Sequence, residues 1–273
     1  MPTPFLKWAG GKHRLLAQYA PYFPTHCTTY FEPFLGGGAV FFARAPQRAV
    51  LADINPELVN VYTCLRDDPE AVIALLTTHA ARHNHDHYYA MRALQPPQLA
   101  PAERAARLIY LNRTCFNGLY RENASGAFNV PMGRYLHPQI CNAANLRAVS
   151  AVLQRAEIVH APFAAVVERA QAGDFVYFDP PYHPLSATSS FTAYSRFRFG
   201  ATQQQQLRDT FAALAARGVS AMLSNSDCPF TRELYQDFPI ITITANRAIN
   251  MRPEKRGKIT EILVLNGPLG EHS

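Results

Sequence analysis

The sequence predicts an α/β protein with a Rossmann-like, doubly wound, mostly parallel sheet and an inserted, mainly helical segment. Three observations predict it. Short apolar and β-branched runs alternate with stretches of helical spacing at both ends of the chain, the pattern of parallel strands joined through helices. Several of those runs end in glycine-rich or acidic turns, and the carboxyl ends of parallel strands are where such sheets carry their sites. Between them, residues 57–143 keep helical spacing without strand–helix alternation. The expected organisation is a main domain built from residues 1–56 and 144–273, split by an insertion at 57–143.

The run at 30–34 reads as a strand entering Leu35-Gly36-Gly37-Gly38, after which 39–43 opens a helix. A second strand at 49–52 ends at Asp53, and helical spacing follows at 58–65 and 102–110. In the last part, 157–160 is a candidate strand and 175–178 a stronger one, closing in Asp179-Pro180-Pro181-Tyr182. A helix at 202–216 is expected to be capped by Thr202, to stop before Gly218 and to expose its glutamines at 203–206. Strand 219–223 leads to Ser224-Asn225-Ser226-Asp227, and the β-branched runs at 240–244 and 259–265 are expected to pair as the last strands.

Composition narrows the class. Of 273 residues, 48% are hydrophobic and 17% charged, as in a chain folded nearly throughout. The formal charge of +6 favours a polyanionic partner without identifying one. Cys27, Cys64, Cys115, Cys141 and Cys228 are scattered, with no CxxC pair, so they read as free thiols in a reducing compartment. No signal-peptide core or membrane-length apolar run is present, so a cytoplasmic location is expected, the Asn123-Ala124-Ser125 sequon is idle and no membrane partner is expected. His79, His83, His85 and His87 read as an exposed histidine-rich turn and not as metal ligands. Lys12 follows Gly10-Gly11, but the upstream glycine spacing of a phosphate loop is missing and His13 stands where Ser or Thr is needed.

The strand ends carry the chemistry. Gly36, Gly37 and Gly38 let a ligand approach the backbone of a strand-to-helix turn. Asp53, ending the next strand, stands where an acid accepts from ribose hydroxyls; it also fits as a helix cap before Pro56-Glu57. Together these imply a nucleoside cofactor and leave NAD and S-adenosylmethionine both open. Asp179-Pro180-Pro181-Tyr182 separates them. The amine of adenine delocalises its lone pair into the ring, and acceptors on both N–H groups draw that density back. Asp179 and the Pro180 carbonyl supply two acceptors, the prolines fix an extended path, and Tyr182 offers a ring for stacking. A base inside a duplex must be extruded to reach them. Transfer is then direct and in line, with neither a covalent intermediate nor a metal required.

Seven motifs in order, FLKWAGGK at 5–12, EPFLGGGAVF at 32–41, LADIN at 51–55, LNRTCFNGLYREN at 111–123, FNVPMGRY at 128–135, DPPY at 179–182 and SNSD at 224–227, give a chain that resembles the Dam-type DNA adenine methyltransferases almost throughout. The resemblance implies a monomeric, nucleoid-associated enzyme acting on double-stranded DNA, with residues 57–143 as its target-recognition domain. It implies that Trp8, Lys12, Glu32, Asp53 and Asp179 contact S-adenosylmethionine, with Gly36 and Gly38 beneath its methionine part and Phe163 placed to pack on its adenine. Asp179, Pro180 and Tyr182 are the expected catalytic set. The stretch 112–135 mixes Arg113, Asn117, Arg121, Asn123 and Arg134 with Phe116, Tyr120 and Phe128, residue types that grip phosphate, read base edges or fill the hole left by a flipped base. Residues 123–126 are the expected tip of a hairpin, and Leu119, Arg121, Pro131 and Tyr135 match positions that read GATC. Arg196, Arg198, Lys255, Arg256 and Lys258 are candidate phosphate contacts. Two departures stand out: Glu122 puts an acid beside Arg121, and His160-Ala161-Pro162-Phe163 lacks the acidic or serine residues common in relatives. Methylation of cytosine N4 or of an RNA base is the alternative reading, which the GATC-like hairpin disfavours.

Overall fold

A computed structural model describes residues 1–123, 126–184, 199–245 and 259–267. Among these, strands β1 (Tyr30–Glu32), β2 (Ala49–Asp53), β3 (Ala156–His160), β4 (Phe175–Phe178), β5 (Ser220–Ser226), β6 (Ile240–Ala245) and β7 (Ile259–Leu265) form one sheet in the order β3-β2-β1-β4-β5-β7-β6. β1 to β5 run parallel, and β7 lies antiparallel between β5 and β6. The strand order reverses between β1 and β4, which makes their carboxyl ends the crevice of a doubly wound sheet.

Side-chain alternation divides the core. Phe175 and Tyr177 of β4 join one apolar cluster, while Val176 and Phe178 join another. Helices α1 (Leu16–Tyr19), α2 (Ala39–Arg44), α3 (Pro56–Asp67), α4 (Pro69–Ala81), α5 (His85–Ala93), α6 (Pro101–Thr114) and α7 (Ala143–Leu153) contribute to the first cluster; α8 (Val166–Arg169), α9 (Ala201–Ala216) and α10 (Pro229–Leu234) pack with the second. With both faces covered, β4 is buried along its whole length, which is why it reads as an unbroken apolar run.

Several local expectations change. The first strand stops at Glu32 because Pro33 leaves the ladder. The last parallel strand continues through Ser224, Asn225 and Ser226, whose backbones pair with Leu263, Ile262 and Glu261 of β7; a distant partner extends a strand that local sequence would end. Asp53 is not a helix cap, since Asn55 caps α3 by accepting from Glu57 N–H. Thr202 lies inside α9, which Gly200 caps, with the Gln203 side chain accepting from the Gly200 N–H at 2.9 Å. Gln204 is buried, unlike exposed Gln205 and Gln206.

The histidines are not an exposed turn. Their spacing puts His79, His83 and His87 on the side facing α6, where their rings lie 5.0, 5.7 and 5.3 Å from that of Tyr110. His79 Nδ1 and His87 Nε2 are 3.1 Å apart, and His85 alone of the four is exposed. Among the described residues, no helix is long and apolar enough to cross a membrane. All five cysteines are free thiols.

Candidate active site

The glycine turn is built for close approach. Gly36 and Gly38 adopt φ of +48° and +66°, which glycine alone enters without strain. A Cβ on Gly36 would come within 2.9 Å of the Trp8 ring, and one on Gly38 within 2.8 Å of the Tyr62 hydroxyl. Trp8 therefore lies across the turn. Asp53 ties the turn to β2, accepting from Gly36 N–H at 3.0 Å and Asn55 N–H at 2.9 Å. Burial pushes the Asp53 carboxyl up, and those N–H bonds pull it back. Glu32, ending β1, is 3% exposed and accepts from Tyr30 Oη at 2.7 Å; burial pushes its carboxyl up to about 8.

Asp179 stands at the end of β4, beside the glycine turn. Lys12 Nζ lies 2.9 Å from its Oδ1, and Ser224 Oγ donates to the same oxygen at 2.9 Å. Burial raises the Asp179 pKa, and the Lys12 ammonium opposes that rise. Lys12 Nζ also donates to the Gly10 carbonyl at 2.8 Å and sits 4.3 Å from the centre of the Tyr182 ring. Pro180 is buried. Gln204 Nε2 donates to the Pro181 carbonyl at 3.1 Å, and Asn225 Nδ2 donates to Gln204 Oε1 at 2.9 Å. The buried glutamine thus braces the turn that its exposed neighbours in sequence conceal.

Residues 115–123 and 126–133 pair as the two arms of a hairpin, while Ala124 and Ser125 of its expected tip lie outside the described residues. Cys115 bridges Met132 and Glu122 bridges Phe128 in antiparallel fashion, and Phe116 N–H donates to the Pro131 carbonyl at 2.9 Å. Near the tip, Asn123 Oδ1 accepts from Ala127 N–H at 2.9 Å. Phe116, Asn117, Arg121, Asn123, Pro131, Arg134 and Tyr135 are exposed, and Leu119 is half-buried. Asn117 adopts φ of +54°, and Arg121 Nε donates to Asn129 Oδ1 at 2.7 Å. Two residues of this stretch face inward instead, since Phe128 is buried and the Tyr120 ring packs 5.1 Å from Trp8. Arg113, just before the hairpin, is engaged by the protein itself, donating to the Gln139 carbonyl at 2.9 Å. Glu122 accepts from the Tyr120 hydroxyl, so its charge is turned back into the protein.

Phe163 stacks on Phe34 at 5.2 Å and borders a cleft with Pro33, Ala52, Ala161 and Pro162. Arg196, Arg198, Lys255, Arg256 and Lys258 lie outside the described residues. Among the described residues, no group of three His, Cys, Asp or Glu side chains is placed to hold a metal ion.

The profile of the D12 class N6 adenine-specific DNA methyltransferases matches residues 8–249. The chain belongs to that family. The D12 enzyme is 45% identical to the Type II methyltransferase M1.LlaDCHI of Lactococcus lactis subsp. cremoris, over 96% of this chain and 95% of the relative. It is 38% identical to the Type II methyltransferase M.MjaIII of Methanocaldococcus jannaschii, over 96% and 98%. It is 36% identical to a DNA adenine methylase of Haemophilus influenzae, over 97% and 93%.

Three residues around the candidate site escaped the sequence reading, and Ser224 entered it only as part of the SNSD motif. Glu261 lies in β7, where an acid within a β-branched and aliphatic run was the available sign. Gln204 was hidden in a polar run. Lys7, whose ammonium lies 4.1 Å from the centre of the Tyr135 ring, is pinned by Asn112 Oδ1 accepting from its N–H at 2.7 Å; the FLKWAGGK motif contained it without marking it.

Proposed function

We propose that the chain methylates N6 of an adenine turned out of a DNA duplex, at GATC, with S-adenosylmethionine as donor. One observation carries the reading: Asp179, Lys12 and the Tyr182 ring meet at the end of β4, beside the glycine turn, with the hairpin joined to that turn through Tyr120 and Trp8.

The residues fit the donor. The glycine turn has no room for a side chain, because Trp8 packs over Gly36 and Gly37 and Tyr62 and Phe42 over Gly38, so a ligand here would meet bare backbone and an aromatic ring. Asp53 is a carboxylate suited to ribose hydroxyls, and Phe163 and Trp8 offer apolar walls. Glu32, Lys12 and Asp179 complete the proposed set. When bound, S-adenosylmethionine supplies a methyl carbon that is already electrophilic. The protein's part is positioning and hydrogen bonding. Asp179 and the Pro180 carbonyl accept hydrogen bonds from the two N–H groups of the amine and so return electron density to N6; one of those protons leaves once the N–CH3 bond has formed and the donor's S–CH3 bond has broken. The Tyr182 ring holds the base by stacking.

Recognition belongs to the insertion in this reading. Arg121 and Arg134 grip phosphate or read guanine, Asn117 and Asn123 offer donors and acceptors to adenine, and Phe116 fills the space the base leaves. Leu119, Pro131 and Tyr135 complete the contacts to GATC, and the exposure of Pro131 and Tyr135 supports the role.

The test is mass spectrometry of nucleosides with methylation-sensitive sequencing, on DNA from an unmethylated host expressing this chain or its Asp179→Ala variant. N6-methyladenine that depends on the intact chain supports the reaction, and its sequence context supports or replaces GATC. Protein that binds S-adenosylmethionine yet leaves every adenine unmodified would sink the reading.

A further inference from the structure

Glu261 of β7 reaches the turn that follows β4. Its Oε2 accepts from Tyr182 Oη at 2.6 Å and from Tyr19 Oη at 3.0 Å. It reaches this place because β7 runs antiparallel beside β5, with Glu261 opposite Ser226. Two phenols donate to one oxygen, which a carboxyl oxygen accommodates with its two lone pairs. Tyr182 is consequently held at two points, by Glu261 at its hydroxyl and by the Lys12 ammonium over its ring. Both Lys12 and Tyr19 come from the N-terminal segment, so that segment grips the turn through a charge and through a shared carboxylate.

We propose that Glu261 is a positioning residue for methyl transfer: by accepting the Tyr182 phenol it fixes the plane of the ring on which the target adenine stacks. The inference rests on the reading of Tyr182 as the stacking ring. A ring free to turn about its side-chain bonds would let the base, and N6 with it, shift relative to Asp179, and a displacement of about 1 Å at a reacting centre is worth about 100-fold in rate.

Rates of methyl transfer to a duplex with one target adenine test this, at saturating cofactor, for Glu261→Leu, Glu261→Gln, Tyr182→Phe and Glu261→Leu with Tyr182→Phe. Glu261→Leu is expected to lower kcat by roughly 10- to 100-fold while cofactor affinity stays within about twofold. Glu261→Gln keeps an acceptor oxygen and is expected to restore most of that loss. Tyr182→Phe keeps the ring but not the hydroxyl, so it should match Glu261→Leu, and the double variant should be no slower than either single one. Losses that multiply, or a Glu261→Leu enzyme with wild-type kcat, would overturn the proposal. So would a loss of cofactor affinity that parallels the loss of kcat, because Glu261 would then support the fold alone. A wild-type protein that methylates no adenine would overturn the underlying reading as well, and that result is separate because it appears before any variant is compared.

Discussion

Lys12 Nζ and Asp179 Oδ1 stand 2.9 Å apart, with the lysine 3% exposed and its ammonium over the Tyr182 ring. The ammonium occupies a carboxylate oxygen that the proposed chemistry assigns to an amine of the substrate. It also holds down an Asp179 pKa that burial raises. Lys12→Met should therefore raise that pKa further. If methyl transfer needs the carboxylate, activity falls as pH drops through this pKa, and the variant's fall should begin at higher pH. An acid limb that stays in place would show that Lys12 does not tune Asp179. Asp179→Ala should lose at least about 100-fold in kcat, or about 2.7 kcal/mol.

Trp8 is the chain's one tryptophan and packs between the glycine turn and Tyr120 of the hairpin. Its fluorescence should respond to S-adenosylmethionine and to DNA. Tyr120→Ala removes an aromatic pair worth about 0.5–1.5 kcal/mol and should weaken cofactor binding by roughly two- to tenfold. If the hairpin and the cofactor are linked, each ligand raises the affinity of the other by the same factor in the wild type. Equal cofactor affinities with and without DNA would refute that linkage.

Glu32 ties stability to pH. Burial pushes its carboxyl up to about 8 from an ordinary 4.5, with the Tyr30 hydrogen bond pulling back and the Asp179 charge adding to the rise. The folded chain then keeps a proton that the unfolded chain releases, so stability is full below about 4.5 and declines toward pH 8. Glu32→Gln stays neutral throughout. Its Tm should gain on the wild type as pH rises through that window, by roughly 5 °C or more, in thermal scans at several pH values. A constant difference would mean that Glu32 is ionised in the fold.

The His79 contribution has the opposite sign. Burial pushes it down to about 4, and like charges on His87 and Arg82 add to the fall. Its stabilising contribution is present above the ordinary 6.5 and is lost as pH drops toward 4. His79→Gln should flatten the decline in Tm between pH 7 and 5 by a few degrees. An unchanged slope would assign acid sensitivity to other groups.

Arg121 and Arg134 separate base reading from phosphate gripping. If Arg121 reads a guanine edge, Arg121→Ala should cost about 1–3 kcal/mol and relax preference at one base pair. A phosphate contact at Arg134 predicts uniform weakening across sequences and a shallower salt dependence on its loss. Competition binding with single-base variants of the site, at two salt concentrations, distinguishes these outcomes.

Much of the fold was legible because its signals are local. The run at 175–178 is apolar on both faces and coincides with β4. The alternation of strands and helices announced a doubly wound sheet, and the glycine turn, Asp53 and Asp179 fell at its strand ends. The hairpin too was readable from 112–135. Local signals failed where a distant partner decided the outcome. Ser224 and Asn225 look like loop residues until β7 pairs with them. Gln204 looks solvated until Pro181 and Asn225 claim its two ends. The histidines look exposed until Tyr110 is brought among them.

The sequence by itself determined the α/β architecture and which residues stand at its strand ends, because hydrophobic periodicity and turn chemistry act over a few residues. Only the tertiary structure decided that Lys12 meets Asp179, that Trp8 lies between Gly36 and Tyr120, and that Glu261 holds Tyr182. Each of those pairs joins segments far apart in the chain, and what brings them together is the burial of the sheet's two apolar faces, a property of the whole core that no short stretch of sequence carries.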